Sequence, residues 1–386
     1  MAALPVFFAL LVVAGCSPVI REDLKLELVQ VLFRHGERTP QANESKLIGN
    51  SSRALQEPWG YSQLTNNGKR QEYKIGQLLR ERYSEFLGEL FRPEYVHAVS
   101  SDYDRTKASL QLVLASLYTP SDELVWNKDL DWMPIPTHYA PKKLDALFSM
   151  WTECPKFDKA WQKLMKSSDI KQQVTQFEDL FKNLSQYYPE TDFDLEQLFY
   201  MNNLLIIESS LDVPYPEWYT PELHQQISKG SKLYLDTLSY TPGLIRLNGG
   251  PLTRRFVENL NVKSKHVNSR KIYLYSGHEF TLYAFAKAHN ITLVKSPVYG
   301  SAIILEKLRN CDGDIFVKMY LWTGVSEELQ PIKLPNCDEY CRVDDYLNLV
   351  QTSLPSDDEM RCLYKNLKPT DLEKIMASDV LGTISD

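Results

Sequence analysis

Positive charge is what this chain most plainly lacks. Its 386 residues hold 43 Lys and Arg against 50 Asp and Glu, a formal net charge of −7. A nucleic-acid binder needs a basic surface to neutralise phosphates, so that class is excluded. Any anion site must be a local concentration of Arg and His. Long apolar runs are missing too: no stretch beyond residue 17 reaches the ~20 apolar residues of a membrane helix. Neither a Gly-x-Ser-x-Gly elbow nor a His-Glu-x-x-His helix occurs, which counts against a serine hydrolase or a zinc protease. No His, Asp and Glu cluster has metal-ligand spacing, so no metal or other cofactor is expected. Internal repeats and low-complexity segments are also absent.

Cysteine is sparse, with six in the chain. Cys16 closes an apolar run from Leu4 to Gly15 that is too short for a span and is followed by small residues. This reads as a cleaved signal peptide over residues 1–17. Val13–Cys16 also has the form of a bacterial lipoprotein box, but the start lacks a basic residue. Four Asn-x-Ser/Thr triplets, at Asn43, Asn50, Asn183 and Asn290, favour a eukaryotic secretory route and some glycosylation. The remaining Cys154, Cys311, Cys337, Cys341 and Cys362 should form disulfides in an oxidising compartment. Their odd number leaves one unpaired or bonded to another chain. Cys337 and Cys341 have no second Cys/His pair nearby, so a local disulfide is preferred to a metal knuckle. The expected product is a secreted protein without a membrane span.

Three short apolar runs have the character of buried strands. Leu24–Phe33 alternates and then turns fully apolar before Arg34-His35-Gly36; Val96–Ser100 leads to Arg105; Lys271–Tyr275 leads to His278-Glu279. Helical patterns follow at Gly68–Phe86, Lys107–Tyr118 and Phe280–His289. Strands that each deliver polar residues into a following helix predict an α/β fold with a mixed, mostly parallel sheet flanked by helices. Between them the chain is rich in helix formers, with helices expected at Lys156–Met165, Asp169–Leu184, Asp194–Ser209 and Pro221–Leu238. The expected organisation is an α/β catalytic domain over 18–130 and 250–386, capped by an α-helical insertion over 131–249.

Arg34-His35-Gly36-Glu37-Arg38-Thr39-Pro40 carries the strongest chemical signal. Two guanidiniums can hold a phosphate through charge-assisted bidentate bonds. A neutral imidazole can attack phosphorus and form a phosphohistidine. Gly36 is expected to clear a path where backbone and phosphate approach, and Pro40 to stiffen the turn. Arg105 stands at a junction equivalent to that of His35 and is expected as a third phosphate contact. His278 and Glu279, at the third junction, supply a further donor and a proton source for the leaving oxygen.

These residues resemble the histidine acid phosphatases, above all the prostatic and lysosomal animal type, with the insect venom branch nearest. The resemblance rests on VLFRHGERTP, on QLTNNGKRQEYKIGQLLRERY from Gln63, on SSDYDRTKASL from Ser100 and on YSGHE ending at Glu279. It covers the chain from Leu24 to about Cys362. It implies a phosphoglycerate mutase-like core, His35 as nucleophile, Arg34, Arg38, Arg105 and His278 on the phosphate, and Glu279 as proton donor. The prostatic type has His-Asp where this chain has His278-Glu279, and the longer side chain shifts the carboxyl by about an ångström. The resemblance also implies disulfides Cys154–Cys362 and Cys337–Cys341, leaves Cys311 without a partner, and suggests a homodimer. The substrate would be a small-molecule or peptide phosphomonoester, the destination secretion, venom included, rather than the lysosome. A phytase or phosphotransferase on the same core is one alternative; a secreted binding or toxin-like protein with vestigial catalysis is the other.

Overall fold

The computed structural model describes residues 24–47, 57–262, 269–293, 296–324 and 328–364. The signal segment 1–17 and the triplet at Asn50 lie outside them. A mixed sheet holds the eight strands found among the described residues, in the order β3-β2-β4-β1-β5-β6-β7 with β8 beside β6. Strand β1 (Lys25–Arg34) sits at its centre. A short helix α1 (Ala42–Ser45) and the long α2 (Asn66–Leu87) follow. Next come β2 (Val96–Ser100), α3 (Asp104–Leu117) and the edge strand β3 (His138–Tyr139). A helical stretch then runs through α4 (Met150–Glu153), α5 (Pro155–Met165), α6 (Ser168–Thr175), α7 (Glu178–Tyr187), α8 (Leu195–Ser210), α9 (Pro221–Thr237), α10 (Pro242–Asn248) and α11 (Gly250–Asn259). The chain re-enters the sheet as β4 (Ile272–Gly277), leaves through α12 (Glu279–Ala288), and adds β5 (Ala302–Arg309), β6 (Ile315–Trp322), β7 (Gln330–Ile332) and β8 (Cys341–Arg342). Helices α13 (Val343–Val350) and α14 (Asp357–Met360) come last.

The burial of β1 explains its sequence. It is flanked by parallel β4 and antiparallel β5 and covered on both faces, so from Leu28 to Phe33 it is apolar at every position but Gln30 rather than alternating. Val29, Val31 and Phe33 pack with Ile75 and Leu79 of α2 and Val113 and Leu117 of α3. Leu28 and Leu32 face the other way, toward Phe256 of α11, Leu282 and Phe285 of α12 and Tyr346 of α13. Gln30 is the one polar residue buried in mid-strand. It donates to the Phe256 carbonyl at 2.9 Å and accepts from the Asn259 amide at 2.8 Å, which offsets its desolvation. Strands β3, β2, β4 and β1 run parallel to one another, so the carboxyl ends of β1, β2 and β4 emerge together.

The helical stretch has its own apolar core, including Phe157, Leu180, Leu184, Leu198, Leu205, Ile227 and Leu235. The single helix expected over Asp169–Leu184 is two, α6 and α7, broken at Gln176–Phe177. The break turns Phe177 into this core and restarts the helix with Glu178 and Asp179 in its first turn, where acidic side chains suit the helix dipole. Disulfide Cys154–Cys362 ties the stretch to the end of the described chain across 208 residues, and Cys337–Cys341 closes a local loop. Cys311 is disulfide-bonded rather than free.

Candidate active site

The three strand ends bring the expected residues into one buried cluster. Arg34 is the last residue of β1 and pairs in register with Gly277 of β4. The His35 amide donates to the Gly277 carbonyl at 3.1 Å, and the Gly300 amide donates to the His35 carbonyl at 3.4 Å. Between these anchors the imidazole has one orientation. Its Nδ1 lies 2.8 Å from the Gly36 carbonyl, which can only accept, so Nδ1 carries the hydrogen. Nε2 is then a lone pair, and it accepts from Arg105 Nε at 3.0 Å.

Arg105 enters from the first turn of α3 and reaches His278 Nδ1 with a terminal nitrogen at 3.4 Å. The other nitrogen of His278, Nε2, is 2.8 Å from Ser101 Oγ, and Ser101 Oγ is 2.9 Å from Thr106 Oγ1. The Thr106 hydroxyl donates to backbone carbonyls, so Ser101 donates to Thr106 and accepts from His278 Nε2–H. That chain leaves His278 Nδ1 facing Arg105. Glu279 opens α12, its carboxylate 3.3 Å from Arg34, an ion contact made without hydrogen-bond geometry. Arg34 also donates to the Pro297 carbonyl at 2.5 Å and lies 4.1 Å from the centre of the Tyr299 ring.

Arg38 is held differently. Glu44 of α1 grips its guanidinium in a bidentate pair, at 2.7 and 2.8 Å, with both side chains buried. The pairing draws Glu44 below the usual carboxylate range despite burial and raises the Arg38 guanidinium. The Nε–H groups of Arg34 and Arg38, the Tyr299 hydroxyl and Glu279 Oε2 are buried without hydrogen-bond partners. Orphaned donors this deep are costly and concentrate where a ligand binds.

Electrostatics favour a neutral His35. Burial, then the charges of Arg105, His278, Arg34 and Arg38, hold it well below the ordinary imidazole value. His278 is lowered by burial and by the same arginines. Burial and Arg38 bring Arg105 down to about 9, which leaves it a cation in acid and at neutrality.

One sequence reading needs correction. Gly36 does not clear a path for phosphate; it clears one for the start of α2. A Cβ on Gly36 would collide with the Gly68 carbonyl, and one on Gly68 with the Glu37 carbonyl. Glu37 completes the join, accepting from Thr65 Oγ1 at 2.5 Å and Asn67 Nδ2 at 2.8 Å, while its amide donates to Gln71. Sequence reasoning also passed over Glu44, Ser101, Tyr103 and Tyr299. Ser101 and Tyr103 stood inside the quoted SSDYDRT segment. Tyr299 was marked only by its place before Gly300, whose φ of 70° sets a turn against the His35 backbone. Asn43, Asn183 and Asn290 are exposed.

The chain is similar to known proteins over most of its length. Venom acid phosphatase Acph-1 of Apis mellifera is 33% identical, over 91% of each chain. The prostatic acid phosphatase of Bos taurus is 31% identical over 90% of each. The lysosomal acid phosphatase of Homo sapiens is 29% identical over 93% of this chain and 85% of its own. Among solved structures, the phytase of Klebsiella sp. ASR1 shares the fold, with a TM-score of 0.66 at 17% identity, covering 87% of this chain and 99% of that one. The family model described as the histidine phosphatase superfamily (branch 2) matches residues 25–321, and the chain belongs to that family.

Proposed function

We propose that the protein is a secreted acid phosphatase that hydrolyses phosphate monoesters through a phosphohistidine on His35. The observation that supports this most directly is the His35 imidazole itself. Nδ1–H is committed to the Gly36 carbonyl, and the Nε2 lone pair points into a nest of arginines. A nucleophile toward phosphorus needs such a lone pair, and the phosphoryl group needs the cations around it.

In the first step the Nε2 lone pair forms a bond to phosphorus and the phosphorus–oxygen bond to the alcohol breaks. Protonated Glu279 gives its proton to the departing oxygen. In the second step Glu279 takes a proton from water, water oxygen bonds phosphorus, and the bond to His35 Nε2 breaks, releasing phosphate. Arg34, Arg38 and Arg105 carry the charge on the equatorial oxygens, with His278 as a further donor once its Nδ1 takes the proton of the bound ester monoanion. Glu44 fixes Arg38 through both terminal nitrogens and leaves its Nε–H for the phosphate. The helix starts of α3 and α12 add favourable dipoles for an anion.

The same reading includes removal of the signal segment 1–17 and glycans on Asn43, Asn50, Asn183 and Asn290. Cystine pairs are consistent with an oxidising route. The stretch 131–249 serves as a cap that shapes the alcohol side of the site. The test is His35→Ala assayed on an aryl phosphate near pH 5. Turnover should fall to background while the variant stays folded by circular dichroism; retained activity overturns the assignment.

A further inference from the structure

The carbonyl that orients His35 belongs to a peptide plane that must itself be held. Gly36 has no side chain, because the Gly68 carbonyl occupies the place of its Cβ. A glycine leaves the planes on either side of it free to turn. The plane before it joins His35 to Gly36. Its carbonyl accepts from the Gly300 amide at 3.4 Å, and its N–H donates to Ser109 Oγ of α3 at 3.3 Å. The plane after it joins Gly36 to Glu37. Its carbonyl accepts from His35 Nδ1 at 2.8 Å, and its N–H donates to Gln71 Oε1 of α2, also at 2.8 Å.

A trans peptide is rigid, and its C=O and N–H point in opposite directions. Gln71 therefore decides which of the two faces the imidazole. With the N–H held by the Gln71 oxygen, the carbonyl faces Nδ1, and Nδ1 must carry the hydrogen. Were the plane turned over, an N–H would face Nδ1 and draw the hydrogen to Nε2, leaving no lone pair toward phosphorus. The bond to Gln71 also polarises the plane and strengthens its carbonyl as an acceptor. Gln71 is packed against the turn that holds the other plane, since a Cβ on Gly300 would lie 3.3 Å from Gln71 Cβ. Glu72, next along α2, is fully buried beside Ser109. Burial holds its carboxyl well above the usual carboxylate range, so in acid it brings no negative charge to this wall.

We infer that Gln71 is a positioning residue of the nucleophile: through the Gly36–Glu37 peptide it keeps the hydrogen of His35 on Nδ1 and the lone pair on Nε2. This rests on the reading of His35 as the nucleophile. It goes beyond that reading by assigning control of the tautomer to a side chain of α2.

The test compares Gln71→Met with Gln71→Glu. Methionine keeps size and helix propensity without a comparable acceptor, whereas glutamate keeps an oxygen at the same place. Long-range proton–nitrogen NMR on protein carrying isotope-labelled histidine distinguishes an N–H from a bare ring nitrogen. The His35 signals are identified by their loss in His35→Ala. The wild type should show one tautomer, with the hydrogen on Nδ1, and Gln71→Met should add the Nε2–H form. In Gln71→Met, kcat/KM for 4-nitrophenyl phosphate should fall about tenfold, the scale of one hydrogen bond lost behind the attacking group. The inhibition constant for inorganic phosphate, which the arginines hold, should change by less than about threefold. Gln71→Glu should recover the single tautomer and most of the rate.

A wild type with its hydrogen on Nε2 would overturn the inference. So would Gln71→Met with an unchanged tautomer: a rate lost together with phosphate affinity would then make Gln71 a support of the loop alone. A shifted tautomer at the wild-type rate would overturn it as well. If the wild type hydrolyses no ester but the tautomer depends on Gln71, the proposed activity falls and the positioning stands. If esters are hydrolysed and the tautomer ignores Gln71, the positioning falls and the activity stands.

Discussion

At pH 5 an ordinary histidine is protonated and has no lone pair to offer phosphorus. His35 escapes this because burial and a ring of guanidiniums disfavour its cation, so the proposed nucleophile keeps its lone pair in acid, where a carboxylic acid can still donate. The two demands meet in one pocket, and Glu279 is where they can be tested apart. An activated nitrophenolate departs without a proton, whereas an alkoxide does not. Glu279→Gln should therefore lose about 10²–10⁴-fold in kcat on glycerol phosphate and at least tenfold less on 4-nitrophenyl phosphate. Equal losses on the two substrates would remove Glu279 from the donor role. At this scale the sequence was informative for a physical reason. Arg34 ends a buried strand, His35 and His278 follow one directly, and Arg105 and Glu279 lie in the first turn of the helix after one, so proximity in the chain stands in for proximity in space. Glu44 and Tyr299 were hidden because they reach the cluster from a short helix and a distant turn, with no local pattern to betray them.

Elements explain why the cluster is rigid. The loop after β1 is not only anchored to β4; it is welded to the start of α2 by two glycines whose missing side chains let backbones touch. Both colliding atoms belong to the main chain and cannot rotate away. Gly68→Ala should therefore cost about 1–3 kcal/mol of stability, as overpacking does, and lower kcat by displacing His35. Urea unfolding and kinetics together check this; a variant as stable and active as the wild type would show that the join tolerates a methyl group. The pattern LxLxLxxxLF of β1 and the helix–strand alternation were legible because burial on one or two faces imposes a period. The antiparallel strands β5 and β6 were not identified from sequence, although AIILEKLR and IFVKMYLW are as apolar as β1. Attention to junctions with polar residues passes over strands that deliver none. The break between α6 and α7 was unreadable for the opposite reason: Ile170, Val174, Phe177, Leu180 and Leu184 keep a helical period straight through it.

Across the whole molecule, two sets of buried groups pull stability in opposite directions with pH. His35 and His278 are held well below 6.5, His97 is brought to about 3 and His289 to about 4, each chiefly by burial. All four are neutral in the folded state, so the unfolded chain binds more protons below about pH 6.5 and acid weakens the fold. Asp145 and Glu208 work the other way. Burial raises each to about 7, so the folded chain keeps protons that the unfolded chain releases above about pH 4, and stability is lost as pH rises toward 7. Asp145 isolates the second effect. Its Oδ1 accepts from the Leu147 and Phe148 amides at 3.0 Å, while Oδ2 is buried without a partner. Asparagine can keep the two accepted bonds and has no proton to lose. Asp145→Asn should therefore raise the melting temperature relative to wild type at pH 8, where the native carboxylate is ionised while buried. The gain should be on the order of 1–4 kcal/mol and should shrink toward zero by pH 4, where wild-type Asp145 is protonated. A shift of the same size at both pH values would mean that the substitution acts through packing alone. A gain that fades toward pH 4 would instead mark Asp145 as one reason why this fold is better suited to acid than its buried histidines imply.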